Sequence, residues 1–314
     1  MSRYKKSQYV RQEDLINNSD IFSGDKGNGY FMGKARPFVL KDGMNNLYEP
    51  IRNGVLRYFK DNEISWWGGG KPSGHTLSSQ IACLNHLFAI MNDKSSVLAM
   101  LNGVRDEFKE VLPIMCDANP QYIGFEVVSK EDPLNEKTST RGSNCTSVDA
   151  FIHAKHRDDS IWLIPIEWKY TEHYANLDKS KEDRQGEEKG SNGKGQERVR
   201  RYSTLTDASL QLKSLDSYYE PFYQLMRQTL WAENVVKLKE ENLKADNYMH
   251  IHVIPSDNKD LLAKKYSVSG MGMEETWRSM LSEQSKYIIV DPQKLLEPIK
   301  DKYPELASYL KKRY

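Results

Sequence analysis

Cysteine is scarce in this sequence: Cys83, Cys116 and Cys145 are the only three in 314 residues, far apart and odd in number. That excludes a disulfide framework and a four-cysteine zinc site, and it points to a reducing cytoplasm. Long hydrophobic runs are missing too. No window approaches the roughly 20 apolar residues of a membrane span, and the opening MSRYKKSQYVRQEDLINNSD has no apolar centre for a signal peptide. Net charge is almost nil at +1, which argues against a general polyanion binder while leaving room for a local basic groove. GGGKPSG and GSNGKG lack the Walker spacing that ends in Gly-Lys-Ser/Thr, so they read as loops. No internal repeat is present.

What the chain does contain is periodicity. Residues 1–40 are polar and Gly-rich and read as an arm packed on the body. Asn45 to Asn62 puts Leu47, Ile51, Val55 and Phe59 on one helical stripe. The arm and this helix (1–75) precede a larger domain (76–314). A second helix starts between Thr76 and Ser79, with Ser78 suited to cap it, and a third pattern runs from Ser96 to Leu112. Strand-like segments follow at Tyr122 to Ser129, Ser147 to Ala154 and Ile161 to Tyr170. Residues 176–201 mix both charge signs with glycines, a composition that predicts a mobile insertion. The stretch from Asp207 to Leu238 is helical with a break at Pro221. NYMHIHVIP and KYIIVDP give two more strands, and PELASYLKK a closing helix. Helices before and after a run of strands predict an α/β fold, a mixed central sheet with helices on both faces.

IWLIPIEWKY (Ile161 to Tyr170) is an apolar strand that ends in two charges. Strand residues two apart share a face, so Glu167 and Lys169 project together. With His156 to Ser160 as a five-residue hairpin loop, Lys155 faces Ile161, His153 faces Leu163, Phe151 faces Pro165, and Asp149 falls opposite Glu167. Opposed carboxylates repel unless something positive lies between them. Lys169 supplies part of that charge, and a divalent cation held by oxygen ligands, Mg²⁺ above all, would supply more. The plain alternative is a salt-bridged strand end. If the two acids crowd an empty metal position, Glu167→Gln should leave the metal-free melting temperature level or raise it.

Asp149, a spacer and Glu167-Trp168-Lys169 at the end of a hydrophobic strand resemble the PD-(D/E)XK nuclease superfamily. The stretch from about Leu77 to Val253 fits its order of helix, three antiparallel strands, helix and strand. GHTLSSQIACLNHLF, IEWKY and YEPFYQLMRQTLWAE together resemble a bacterial family of restriction-endonuclease-like proteins. The resemblance implies a restriction-endonuclease-like core and a DNA endonuclease of restriction or defence type, leaving 5′-phosphate and 3′-hydroxyl ends. It implies Mg²⁺, with Mn²⁺ as substitute, held by Asp149, Glu167 and the backbone carbonyl of Trp168, and Lys169 as the catalytic lysine. Val148 stands where the motif has proline, and Pro165 inside the strand could shift the register through a bulge.

The resemblance also implies an additional acid, for which Glu49 and Glu126 are the candidates. Gln224, Arg227 and Gln228 form one polar stripe on an otherwise apolar helix, suited to nucleic acid or to supporting the site. Gln80, Arg200 and Arg201 are candidates for the same role, against the plainer readings of a core amide and a solvated charge run. His250 and His252 share a strand face without a matching ligand motif. The runner-up function is a nucleic-acid-binding protein on the same fold without cleavage. The expected partner is DNA, no membrane is involved, and a homodimer is left open.

Overall fold

The computed structural model describes residues 2–114, 120–137, 145–175, 178–182, 193–213, 218–239, 243–267 and 269–314. Helix α1 (Arg3–Asn18) leads into a small ribbon of β1 (Gly29–Phe31) and β2 (Lys34–Arg36), followed by α2 (Arg52–Asp61), α3 (Ser79–Leu87) and α4 (Lys94–Val104). Next come β3 (Phe108–Leu112), β4 (Gly124–Val127), β5 (Val148–His156) and β6 (Ile161–Trp168). Helices α5 (Lys194–Asp207) and α6 (Phe222–Leu238) precede β7 (Asn247–Tyr248) and β8 (His250–Val253). The chain closes with α7 (Lys259–Leu262), α8 (Met273–Met280), β9 (Tyr287–Val290), α9 (Pro292–Leu296) and α10 (Pro304–Arg313).

Strands β3 to β9 form one mixed sheet of seven strands. β3 and β4 lie against opposite halves of β5, both antiparallel to it, and β5 is antiparallel to β6. β6 is parallel to β7 and β8, and β8 is parallel to β9. Helices cover both faces, as the element order predicts. On one face Val55, Leu84, Leu101 and Leu295 pack against Ala150, Ile152, Ile164 and Ile166. On the other, Leu225, Met226 and Trp231 of α6 and Trp277 of α8 pack against Phe151, Leu163 and Tyr287. β6 is buried on both faces, the environment its continuous apolar run requires.

The hairpin forms in the predicted register, with pairs running without a shift from Lys155↔Ile161 through Phe151↔Pro165 to Ala150↔Ile166. Pro165 therefore causes no bulge. Odd residues of β6 direct their backbone groups toward β7 and β8, as the bond from Met249 N–H to the Leu163 carbonyl shows. The donor that Pro165 lacks thus falls beside Met249, where the ladder already breaks between β7 and β8.

Four expectations need correction. Within the supposed arm, Arg3–Asn18 is a helix capped by Ser2, and it was missed because its buried face is Gln8, Gln12 and Ile16 rather than an apolar stripe. The third helix ends at Val104, and Phe108–Leu112 is an edge strand beside β5, with Phe108 and Val111 turned inward. In the supposed insertion, residues from Lys194 on belong to α5, which buries Tyr202, whereas 176–177 and 183–192 lie outside the described residues. In the long helical stretch α5 ends at Asp207 and α6 begins only at Phe222; of the described residues between them, Leu212 bridges to Leu281 instead of continuing a helix, and 214–217 lie outside the described residues.

Gln12 shows how a polar helix docks. Its amide N–H groups reach the Tyr170 hydroxyl and the Arg313 carbonyl, both at 3.2 Å, and its oxygen accepts from the Arg313 guanidinium. Arg313 is fully buried, and Asn46 Oδ1 and the Thr76 carbonyl accept from its Nη2, each at 2.8 Å. Gln12→Leu strands one edge of that guanidinium. It should lower the free energy of unfolding by about 2–3 kcal/mol in urea titrations, the range for hydrogen bonds to charged groups.

Candidate active site

Beyond Ala150↔Ile166 the β5–β6 ladder stops. Continued by one residue, it would set Asp149 opposite Glu167, but no ladder pair forms there. Instead Asp149 Oδ2 accepts the Trp168 N–H at 2.7 Å, a donor that would otherwise extend the ladder. On its other side, β4 pairs Phe125 with Ala150 and Val127 with Val148, which leaves Glu126 opposite Asp149. Glu126, Asp149 and Glu167 thus occupy one row across three neighbouring strands.

Glu126 sits at φ 51°, in the left-handed region, within a strand. A non-glycine residue there stores strain of order 1–3 kcal/mol, and such residues cluster at functional sites. The Tyr58 hydroxyl pins the preceding residue, accepting the Phe125 N–H at 2.9 Å and donating to its carbonyl at 3.4 Å. Gln80 of α3 donates to Glu126 Oε1 at 2.7 Å, and the Ser147 hydroxyl donates to Oε2 at 3.4 Å. Gln80, Cys83, Glu126 and Asp149 close around a gap beside the row that is too narrow to hold water.

Glu167 is the most enclosed of the three acids, 2% exposed. Lys169 and Gln224 both donate to its Oε1, Gln224 at 2.6 Å, and Gln228 donates to Oε2. Lys169 also donates to Gln224 Oε1 at 2.7 Å. Both glutamines lie one turn apart on α6, so the helix packed on this sheet face delivers them together.

The electrostatics separate the acids. Burial pushes the Asp149 carboxyl well above the usual carboxylate range, and the charges of Glu167 and Glu126 push it further, with Lys169 and the Trp168 N–H opposing. Burial alone would lower Lys169, yet Glu167, Tyr174, Glu172 and Asp149 raise it well above the ordinary lysine range. At neutral pH Lys169 is therefore an ammonium and not a base. The buried thiol of Cys83, which lines that gap, is pushed up by burial and by the same three carboxylates.

Of the residues singled out from sequence, the structure gathers Asp149, Glu167, Lys169, Glu126, Gln80, Gln224 and Gln228. It does not gather the rest. Glu49 is exposed at the start of a 3-10 turn. Arg227 turns away to Glu136 at 2.9 Å and lies over the Tyr223 ring. Arg201 pairs with Glu197 on α5, and Arg200 is exposed on the same helix. Ser78 caps α3, accepting from Ile81 N–H. His250 and His252 are buried with their rings 6.3 Å apart, and burial pushes His250 down to about 3. Among the described residues no three His, Cys, Asp or Glu side chains stand at metal-ligating spacing.

Sequence reasoning missed Glu136, a buried node that accepts from Arg227, from the Tyr202 hydroxyl at 2.6 Å and from the Thr146 hydroxyl at 2.7 Å. Its neighbours in the chain are polar, and only the fold reveals its burial. A cavity of about 620 Å³ opens past the C-terminal ends of β6, β8 and β9, where open α/β sheets often bind ligands. Trp168 and Tyr170 line it from the strand face opposite Glu167 and Lys169, so the charged row does not belong to it.

A family model described as Restriction Endonuclease associating with ARP matches residues 7–314. The chain belongs to this family. The match starts inside α1 and takes in the whole sheet and the row of acids. No curated protein and no solved structure matches the chain. Among the described residues no helix is long and apolar enough to cross a membrane.

Proposed function

We propose that this protein is a Mg²⁺-dependent DNA endonuclease of the PD-(D/E)XK type, with a restriction or defence role and a restriction-endonuclease-like core. The observation that carries the reading is the row Glu126, Asp149 and Glu167 across β4, β5 and β6, with Lys169 folded onto Glu167. Membership of a restriction-endonuclease family supports it.

The donor set fits a hard cation. It offers oxygens only, which suits Mg²⁺ with Mn²⁺ as substitute, and the raised Asp149 marks a site short of positive charge. Asp149 and Glu167 would hold the ion, with the backbone carbonyl of Trp168, the residue after Glu167, as a further ligand. Bound there, it would polarise a phosphodiester and lower the pKa of a water. Lys169, held as an ammonium, offsets negative charge gathering on the phosphate. Gln224 and Gln228 fix the Glu167 carboxylate, and Gln80 fixes Glu126.

A second reading has its own support. Both Glu167 oxygens are already occupied by Lys169, Gln224 and Gln228, as in a purely structural ion pair. On that reading the protein binds nucleic acid without cutting it. Plasmid DNA separates the two: nicking with Mg²⁺ or Mn²⁺, abolished by chelator and by Asp149→Asn, is the expected result. Intact plasmid with both ions, alongside retained DNA binding, would establish the second reading.

A further inference from the structure

The β1–β2 ribbon and the loop after Trp66 form a surface that the acid row does not use. Tyr30 and Met32 at the ribbon tip are 79% and 83% exposed, and Trp67 is 48% exposed. Phe31 stacks on Trp67 with ring centroids 5.3 Å apart, and His75 meets both rings edge-on at 4.6 and 5.9 Å. These contacts fix the indole from behind and leave its outer side to solvent. Gly68 and Gly69 follow at φ 90° and 101° with open space around them, so the loop needs glycine for its backbone and not for packing.

Charge near the aromatic rings is cationic. Residues 28–40 contain Lys34 and Arg36 and no carboxylate, and residues 64–92 contain Lys71 and again none, while Asp25 and Asp42 stand at the base of the ribbon, where Asp25 accepts the Lys41 N–H at 3.3 Å. Lys34 pairs across the ribbon with Phe31, the ring that backs Trp67. The surface also leads to the acids. The Trp67 N–H donates to Gln80 Oε1 at 3.1 Å, and Gln80 donates onward to Glu126 at 2.7 Å.

We propose that this surface binds a single-stranded stretch of nucleic acid, with an unpaired base stacked on Trp67 and neighbouring phosphates on Lys34, Arg36 and Lys71. Exposed aromatic faces interleaved with cations are the means by which proteins hold unpaired nucleotides, because every base has a face to stack. A duplex hides those faces and would use the cations alone. A second copy of the chain fits poorly, since two surfaces with cations around the aromatic rings repel each other. The inference rests on the nuclease reading only for what lies at the far end of the strand.

Anisotropy of fluorescein-labelled oligothymidylate, measured in chelator so that nothing is cut, tests the contact. Trp67→Ala should weaken binding about tenfold, the scale of one lost base stack. Trp67→Phe should retain most of the affinity, and a duplex of matched length should change less than twofold. Lys34→Ala and Arg36→Ala should each flatten the salt dependence. An unchanged melting temperature certifies the fold of these surface variants. Affinity unmoved by Trp67→Ala, equal losses on duplex, or no single-strand binding by the wild type overturns the proposal. So does a dimer that Trp67→Ala splits while DNA affinity holds. Single-strand binding through Trp67 without cleavage in Mg²⁺ or Mn²⁺ removes the nuclease reading and leaves this one standing. Cleavage by a protein whose affinity ignores Trp67 does the reverse.

Discussion

Glutamine in place of Glu167 is expected to lower the melting temperature of the metal-free protein, and asparagine in place of Asp149 to hold or raise it. The Glu167 carboxylate is buried and takes donors from Lys169, Gln224 and Gln228. An amide there neutralises the partner of a buried ammonium and turns an N–H group toward existing donors. Breaking a buried pair from one side costs about 3 kcal/mol or more, hence several degrees of melting temperature. Asp149 is the opposite case. Its raised pKa means that the folded state binds its proton more tightly than the unfolded chain does. Its contribution to stability is complete at low pH and is lost as pH rises through the folded-state value. Asparagine keeps an acceptor for the Trp168 N–H and removes the charge that Glu126 and Glu167 repel. The variant's advantage over wild type in chelator should therefore widen as pH rises. An Asp149→Asn melting temperature below wild type at neutral pH, by the same margin at every pH, would contradict this.

That pair of signs reverses what the sequence suggests for Glu167, and the reversal shows where legibility ends. A five-residue loop sets the β5–β6 register, so the juxtaposition of Asp149, Glu167 and Lys169 can be read directly from the chain. Which acid carries the repulsion cannot. It depends on Gln224 and Gln228, which arrive from α6 more than fifty residues later and satisfy Glu167 alone. Their stripe is visible as i and i+4 amides on an apolar helix, but its target is set by packing. Glu126 is visible as an acid on a strand, yet its left-handed backbone is imposed by neighbours such as Tyr58 and leaves no local mark. Helix α1 escapes periodicity for a related reason: its buried face is hydrogen-bonded rather than hydrophobic, with Gln8 and Gln12 meeting Tyr170 and Arg313. Arg227 shows the converse error, since sharing a stripe with Gln224 and Gln228 did not bring it to their site.

The largest effect on activity is expected from Lys169→Met, which keeps the length of the stem and removes the ammonium. If Lys169 balances charge on the phosphate, cleavage should fall by about 10²–10³-fold, the scale for removing one preorganised group that stabilises developing charge. Loss of activity alone does not separate that role from collapse of the site, because Lys169 also holds Glu167. Stability does separate them. Lys169→Met leaves a buried carboxylate with only its two glutamines, and Glu167→Gln leaves a buried ammonium with only Gln224. The double variant leaves neither charge, so its loss of stability should be smaller than the sum of the single losses by about 1–3 kcal/mol. Its cleavage should be no lower than that of either single variant, since groups that act as a unit fail together. With oligothymidylate affinity preserved throughout, such a cycle assigns Lys169 to the chemical step. Additive stability losses would mean that Lys169 and Glu167 are uncoupled, and the geometry on which the active-site reading stands would be gone.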